Sequence, residues 1–124
     1  MRKVLVLIST AIVVAGVVVA AASARRTAAV TLTGTDGPGF TITLKQGSKA
    51  VKTLKAGTYK FVIHDMSSIH GWSLDGPHGF AKDIASITGT GTKTVTFKLK
   101  AGKYKFYCPS HETLMFGHFS AVED

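Results

Sequence analysis

From residue 29 to residue 122 the chain shows almost no helical periodicity. Short runs rich in Val, Ile, Thr, Tyr and Phe alternate apolar with polar residues and are separated by glycine-bearing turns. That pattern restricts the fold to an all-β sandwich or barrel. In Lys93–Leu99, Val95, Phe97 and Leu99 face one way while Thr94, Thr96 and Lys98 face the other. Tyr59, Phe61 and Ile63 alternate in the same manner with Lys60 and Val62. Sheets with one face on the core and one in water leave this signature. About eight strands are predicted: Ala29–Thr33, Phe40–Leu44, Lys49–Leu54, Thr58–His64, Gly71–Leu74, Lys93–Leu99, Lys103–Tyr107 and Gly117–Val122. Segments 34–39 and 75–92, rich in Gly, Pro, Thr and Ser, read as loops.

One internal similarity organises the strands. Leu54-Lys55-Ala56-Gly57-Thr58-Tyr59-Lys60-Phe61 matches Leu99-Lys100-Ala101-Gly102-Lys103-Tyr104-Lys105-Phe106. Flanking residues do not match, which argues for two similar corners of a Greek-key sandwich rather than for a repeat protein. Gly57 and Gly102 supply the turn geometry that admits each Tyr-x-Phe strand.

Residues 1–24 read as a signal peptide. Arg2 and Lys3 form a positive start, Val4 to Ala22 is continuously apolar or small, and Ala22-Ser23-Ala24 supplies a small-x-small cleavage pattern. An uncleaved anchor is the competing reading, since about 19 apolar residues just span a bilayer. No cysteine lies near the site, so a bacterial lipoprotein anchor does not apply. Either reading places residues 25–124, one domain's worth of chain, outside the cytoplasm: periplasmic, cell-surface or secreted. Removing Arg2 and Lys3 from the 15 basic residues leaves 13 against seven acids, a net charge of +6. An acidic protein partner or an anionic envelope suits that balance, and export makes nucleic acid the poorest fit.

The chain has a single cysteine, Cys108, in the run Tyr107-Cys108-Pro109-Ser110-His111-Glu112-Thr113-Leu114-Met115. An exported thiol without a disulfide partner needs an explanation. Thiolate, imidazole and thioether follow one another at spacings that one metal ion can gather, and this soft donor mixture points to copper. Cys108 closes a strand on the same face as Tyr104 and Phe106, so its sulfur should turn inward. Pro109 then stops the strand and begins a tight loop carrying His111 and Met115. The second imidazole must come from elsewhere. His70 is the best choice, at the end of the loop Asp65-Met66-Ser67-Ser68-Ile69 and the start of the next strand. Two His and one Cys in a plane with a weak axial Met define a blue-copper electron-transfer site.

With these residues in view, the chain resembles a small secreted bacterial cupredoxin of the plastocyanin/azurin class. The resemblance is carried by Gly57-Thr58-Tyr59-x-Phe61, His70, Cys108-x-x-His111-x-x-x-Met115 and Gly117-His118-Phe119; it is tight over 57–75 and 102–119 and loose over most of 28–122. It implies a two-sheet Greek-key sandwich holding one copper ion in a type 1 site, with ligands His70, Cys108, His111 and Met115. It also implies single-electron transfer to a redox partner, with electrons leaving through an apolar rim of Pro109, Leu114 and Phe116. Two departures stand out. Many members place Asn after the first ligand His, where it braces the Cys loop; here it is Gly71. Glu112 and Leu114 also occupy places where small or polar residues are more usual.

The remaining candidates read differently. His64 is expected as a satisfied or surface strand residue, His78 and His118 at solvated positions, and Trp72 in the core. The lysines at 45, 49, 52, 55, 60, 98, 100, 103 and 105 should form outward, edge-protecting faces or dock an acidic partner. A copper protein for delivery, buffering or sensing uses the same donors as an electron carrier and stands as the alternative function. An enzyme does not fit: multicopper oxidases need His-x-His pairs and a Cys flanked by His, and a dinuclear centre needs two cysteines. Zinc is chemically possible, but an axial Met adds nothing for it. The expected state is a monomer, contacting membrane only if residues 1–24 are retained.

Overall fold

A computed structural model of the protein describes residues 28–124 and Gly16; the proposed signal segment, 1–24, lies otherwise outside the described residues. Two five-stranded sheets face each other. The first comprises β1 (Val30–Asp36), β2 (Ile42–Gln46), β3 (Lys49–Ala50), β5 (Gly57–Asp65) and β8 (Gly91–Leu99), in the order β3-β2-β1-β5-β8. The second comprises β4 (Thr53–Lys55), β6 (Trp72–Asp75), β7 (Ala81–Ala85), β9 (Gly102–Tyr107) and β10 (Phe116–Val122), in the order β4-β10-β9-β6-β7. The pairs β1·β5 and β4·β10 are parallel and the others antiparallel. No helix among the described residues is long and apolar enough to cross a membrane.

The predicted alternation holds where the core needs it. Tyr59, Phe61 and Ile63 are buried while Lys60 and His64 are exposed. Trp72 lies at the centre, fully buried, stacked on Phe106 with ring centroids 5.4 Å apart and donating its indole N–H to the Thr43 carbonyl at 3.2 Å. The two matching segments form equivalent corners. Tyr59 donates its hydroxyl to the Lys55 carbonyl at 2.6 Å, and Tyr104 donates to the Lys100 carbonyl at 2.8 Å. Each tyrosine reaches back four residues, past a glycine of positive φ (Gly57 at 156°, Gly102 at 145°).

Most strand ends lie within two residues of the sequence reading, as in β2, which runs Ile42–Gln46 where Phe40–Leu44 is predicted, and three differences are larger. The run 49–54 is split at Val51–Lys52 into β3 and β4, which join opposite sheets. β1 continues to Asp36, into a predicted loop, because it pairs with β5 through to Asp65. Ala81–Ala85, inside the predicted loop 75–92, is the edge strand β7. Its mostly exposed side chains, Ala81, Lys82 and Asp83, give it no apolar alternation to detect.

The end of the β1·β5 ladder supports the loop that leads to the candidate site. Asp36 and Asp65 are register partners and both are buried. Met66 N–H donates to Asp36 Oδ1 at 3.1 Å, and Ser67 N–H donates to Asp65 Oδ1 at 3.2 Å. Burial, reinforced by the neighbouring Asp65 carboxyl, pushes the Asp36 carboxyl up to about 8, so the pair retains a proton at neutral pH. A carboxyl raised on folding contributes stability below its unfolded value of 3.8, and that contribution is lost as pH climbs through about 8. The metal-free protein should therefore melt lower at pH 8 than at pH 5, with at most about 1.4 kcal/mol lost per pH unit from this group. Asp36→Asn keeps the acceptor for Met66 and carries no charge, so its melting temperature should fall less over the same range. Equal slopes in the two proteins would show that Asp36 is ionised throughout.

Candidate metal centre

The site forms where β6 and β9, paired through Ser73 and Tyr107, end at one pole of the sandwich. Cys108 directly follows β9 and is fully buried, as its place on the Tyr104 and Phe106 face predicts. The chain then closes a tight loop. His111 N–H donates to the Cys108 carbonyl at 3.0 Å, Met115 N–H to the His111 carbonyl at 2.8 Å, and Cys108 N–H to the Met115 carbonyl at 3.0 Å. This closure fixes Cys108, His111 and Met115 relative to one another before β10 begins. Met115 is buried and His111 is half-buried.

His70 arrives from the other strand. It is 2% exposed, immediately before Gly71 and two residues before Trp72, with its amide held by the Ser67 carbonyl at 3.2 Å. The donor atoms of His70, Cys108 and His111 converge as one group. His70 Nδ1 and His111 Nδ1 are 3.2 Å apart, and Cys108 Sγ lies 3.9 Å from the first and 3.7 Å from the second.

The sulfur is conditioned by its surroundings. Burial on its own pushes the Cys108 thiol up. Hydrogen bonds from the Ser110 hydroxyl, the Gly71 and Ser110 amides and the His70 ring outweigh it and hold the thiol below its ordinary value. Ser110 Oγ is 3.3 Å and Gly71 N 3.4 Å from Sγ.

Residues that sequence reasoning placed in solvent are there. His64 is exposed and hydrogen-bonds Thr92 Oγ1 at 3.0 Å, His78 sits in the turn Pro77–Gly79, and His118 is exposed on β10. Glu112 points away from the donors and pairs with Lys105 at 2.9 Å. Leu114 and Phe116 are exposed, as an apolar rim requires. Phe40 was not foreseen as part of the site. Its exposed ring covers both imidazoles, with centroids 5.1 Å from His111 and 5.5 Å from His70. Only the packing of the β1–β2 loop brings it there, so nothing in the local sequence could reveal it.

No family model and no curated protein matches the chain by sequence. Solved structures do match. Auracyanin A, a "blue" copper protein from the green thermophilic photosynthetic bacterium Chloroflexus aurantiacus, is 23% identical over 75% of this chain and 98% of its own, with a TM-score of 0.52. Rusticyanin, a copper protein, is 15% identical over 74% of this chain and 76% of its own at a TM-score of 0.54. Its reduced form solved by NMR gives 20%, 76%, 77% and 0.53. The likeness establishes the fold: this chain is an all-β sandwich of the cupredoxin kind.

Proposed function

We propose that this chain is an exported type 1 copper protein that carries single electrons, in which His70, Cys108 and His111 would be the strong donors and Met115, buried at the end of the same loop, a weak thioether donor. The observation that carries the proposal is the triangle of donor atoms. A metal about 2.0 Å from two imidazole nitrogens and about 2.3 Å from a thiolate would need its three donors about 3.5 and 3.7 Å apart. The edges here are 3.2, 3.7 and 3.9 Å. One soft thiolate, two imidazoles and a buried thioether next in the loop match copper better than zinc or the hard cations.

Bound copper would supply a one-electron couple between Cu(I) and Cu(II). The protein's part is to hold the donors so that neither state requires them to move. Cys108 and Met115 are tied by their own backbone bond, His70 is packed at the start of β6, and Phe40 covers both rings. His111 is the donor nearest solvent, with Phe40 against its ring and Leu114 exposed in the same loop, and these apolar groups support a short-lived contact with a redox partner. Lysines at 45, 49, 52, 55, 60, 98, 100 and 103 are exposed, which suits a partner with an acidic docking surface. Residues 1–24 are proposed as the export signal and 25–124 as a monomeric copper domain.

The test is the purified domain loaded with Cu(II), followed by visible and electron spin resonance spectroscopy and voltammetry. An intense sulfur-to-copper band with a fast reversible wave is expected. A colourless Cu(II) form defeats the proposal. A slow wave combined with tight Cu(I) binding and handover to a metal-free acceptor favours copper delivery instead.

A further inference from the structure

Residue 71 separates His70 from the core tryptophan and carries no side chain. A Cβ there would meet the Ala85 carbonyl oxygen at 2.7 Å and Ile87 Cγ2 at 3.0 Å. No other residue fits without moving the β7 backbone, so position 71 can offer only its amide to the Cys108 loop. A side-chain link comes from the opposite direction. The Ser110 hydroxyl donates to the Ile69 carbonyl at 2.9 Å, and its oxygen lies 3.3 Å from Cys108 Sγ and 3.1 Å from His111 Nδ1. Ile69 immediately precedes His70. One small side chain thus touches the sulfur of one donor, the ring of a second and the backbone beside the third.

We propose that Ser110 is the positioning residue of this site, clamping the Cys108 loop to the Ile69–His70 backbone and tuning the sulfur through a shared hydroxyl proton. The inference rests on the blue-copper reading above. A serine hydroxyl has one hydrogen to donate; with His111 Nδ1 committed to the metal, the Ile69 carbonyl and Cys108 Sγ are the acceptors left within reach. In this structure the hydroxyl points its hydrogen at the Ile69 carbonyl. A thiolate is the charged acceptor of the two and draws it into a three-centre bond. That bond is stronger the more negative charge remains on sulfur, which is the case in the reduced state. The hydroxyl therefore favours the reduced state, and its loss should lower the potential. Ser110 is itself exposed, so a threonine methyl has room while the hydroxyl stays in place.

The experiment compares the wild type with Ser110→Ala and Ser110→Thr. In the copper-loaded proteins, Ser110→Ala should shift the Cu(I)/Cu(II) balance about tenfold toward the oxidised form, the loss of one charge-assisted hydrogen bond, equivalent to a potential about 59 mV lower for one electron. Its charge-transfer band should move, and Ser110→Thr should restore both readings. In the metal-free proteins, exchange of the Gly71 amide, which rests on Cys108 Sγ, should accelerate in the alanine variant and not in the threonine one. An alanine variant with the wild-type potential and band overturns the assignment. Faster exchange with an unmoved potential overturns it too, because Ser110 would then be a structural clip without influence on sulfur. A folded threonine variant that behaves like alanine also overturns it. A wild type that takes up Cu(II) without the visible band defeats the blue-copper reading, an outcome distinct from failure of the Ser110 variants alone.

Discussion

Cys108→Ser is expected to remove the visible band of the Cu(II)-loaded protein completely and to weaken copper binding by more than the roughly 10- to 100-fold that changes beyond the donor atoms produce. Two effects combine. An alcohol oxygen cannot provide the polarisable sulfur orbital from which charge transfer arises, and a neutral hydroxyl is a poor donor beside a thiolate. The substitution is nearly isosteric and should leave the fold intact. Cys108 is fully buried, but its side chain sits among groups that satisfy a hydroxyl equally well: the Gly71 amide, Ser110 Oγ and two imidazole nitrogens. Near-ultraviolet circular dichroism of the metal-free variant, dominated by Trp72 and its stacked partner Phe106, reports whether the core survives. A serine variant that keeps both core signal and colour would remove Cys108 from the donor set.

Much of this architecture can be read from residue order because its determinants are local. Alternation in β5 and β8 follows from one buried face, and the tyrosine corners follow from a glycine placed two residues before each Tyr. Cys108, His111 and Met115 lie within one loop, so spacing alone brings them together. What stayed hidden depends on contacts between distant segments. β7 has almost no buried side chains, and its strand identity comes from pairing with β6. Phe40 reaches the imidazoles only because the β1–β2 loop folds over the pole of the sandwich. The replacement of a residue-71 brace by Ser110 was equally invisible: Gly71 registered as a missing side chain, whereas the structure shows Ala85 and Ile87 occupying its space. The buried Asp36–Asp65 pair shows the same limit, since an acidic residue ending a strand reads as a solvated turn until its partner is known.

Spacing leaves one ambiguity in the donor set, because His111 and His118 both follow Cys108 in the same segment, and their removal should separate them cleanly. His111→Ala deletes a half-buried ring lying between Phe40, Ser110 and the two other donors. Because the ring borders solvent, the resulting gap is shaped like imidazole and open to it. The variant should lack the band without added imidazole and recover it as imidazole is titrated in, with saturation at millimolar concentrations expected for a weak exogenous ligand of about −4 kcal/mol. His70→Ala serves as a contrast: that ring is 2% exposed, so added imidazole has no direct route to its place and recovery should be much weaker. His118 faces outward on β10 with its ring against Phe116, at 5.7 Å between centroids. His118→Ala should therefore leave the spectrum and the imidazole response unchanged. Colour that survives His111→Ala but disappears in His118→Ala would move that imidazole to β10 and overturn the donor set proposed from the grouping of His70, Cys108 and His111.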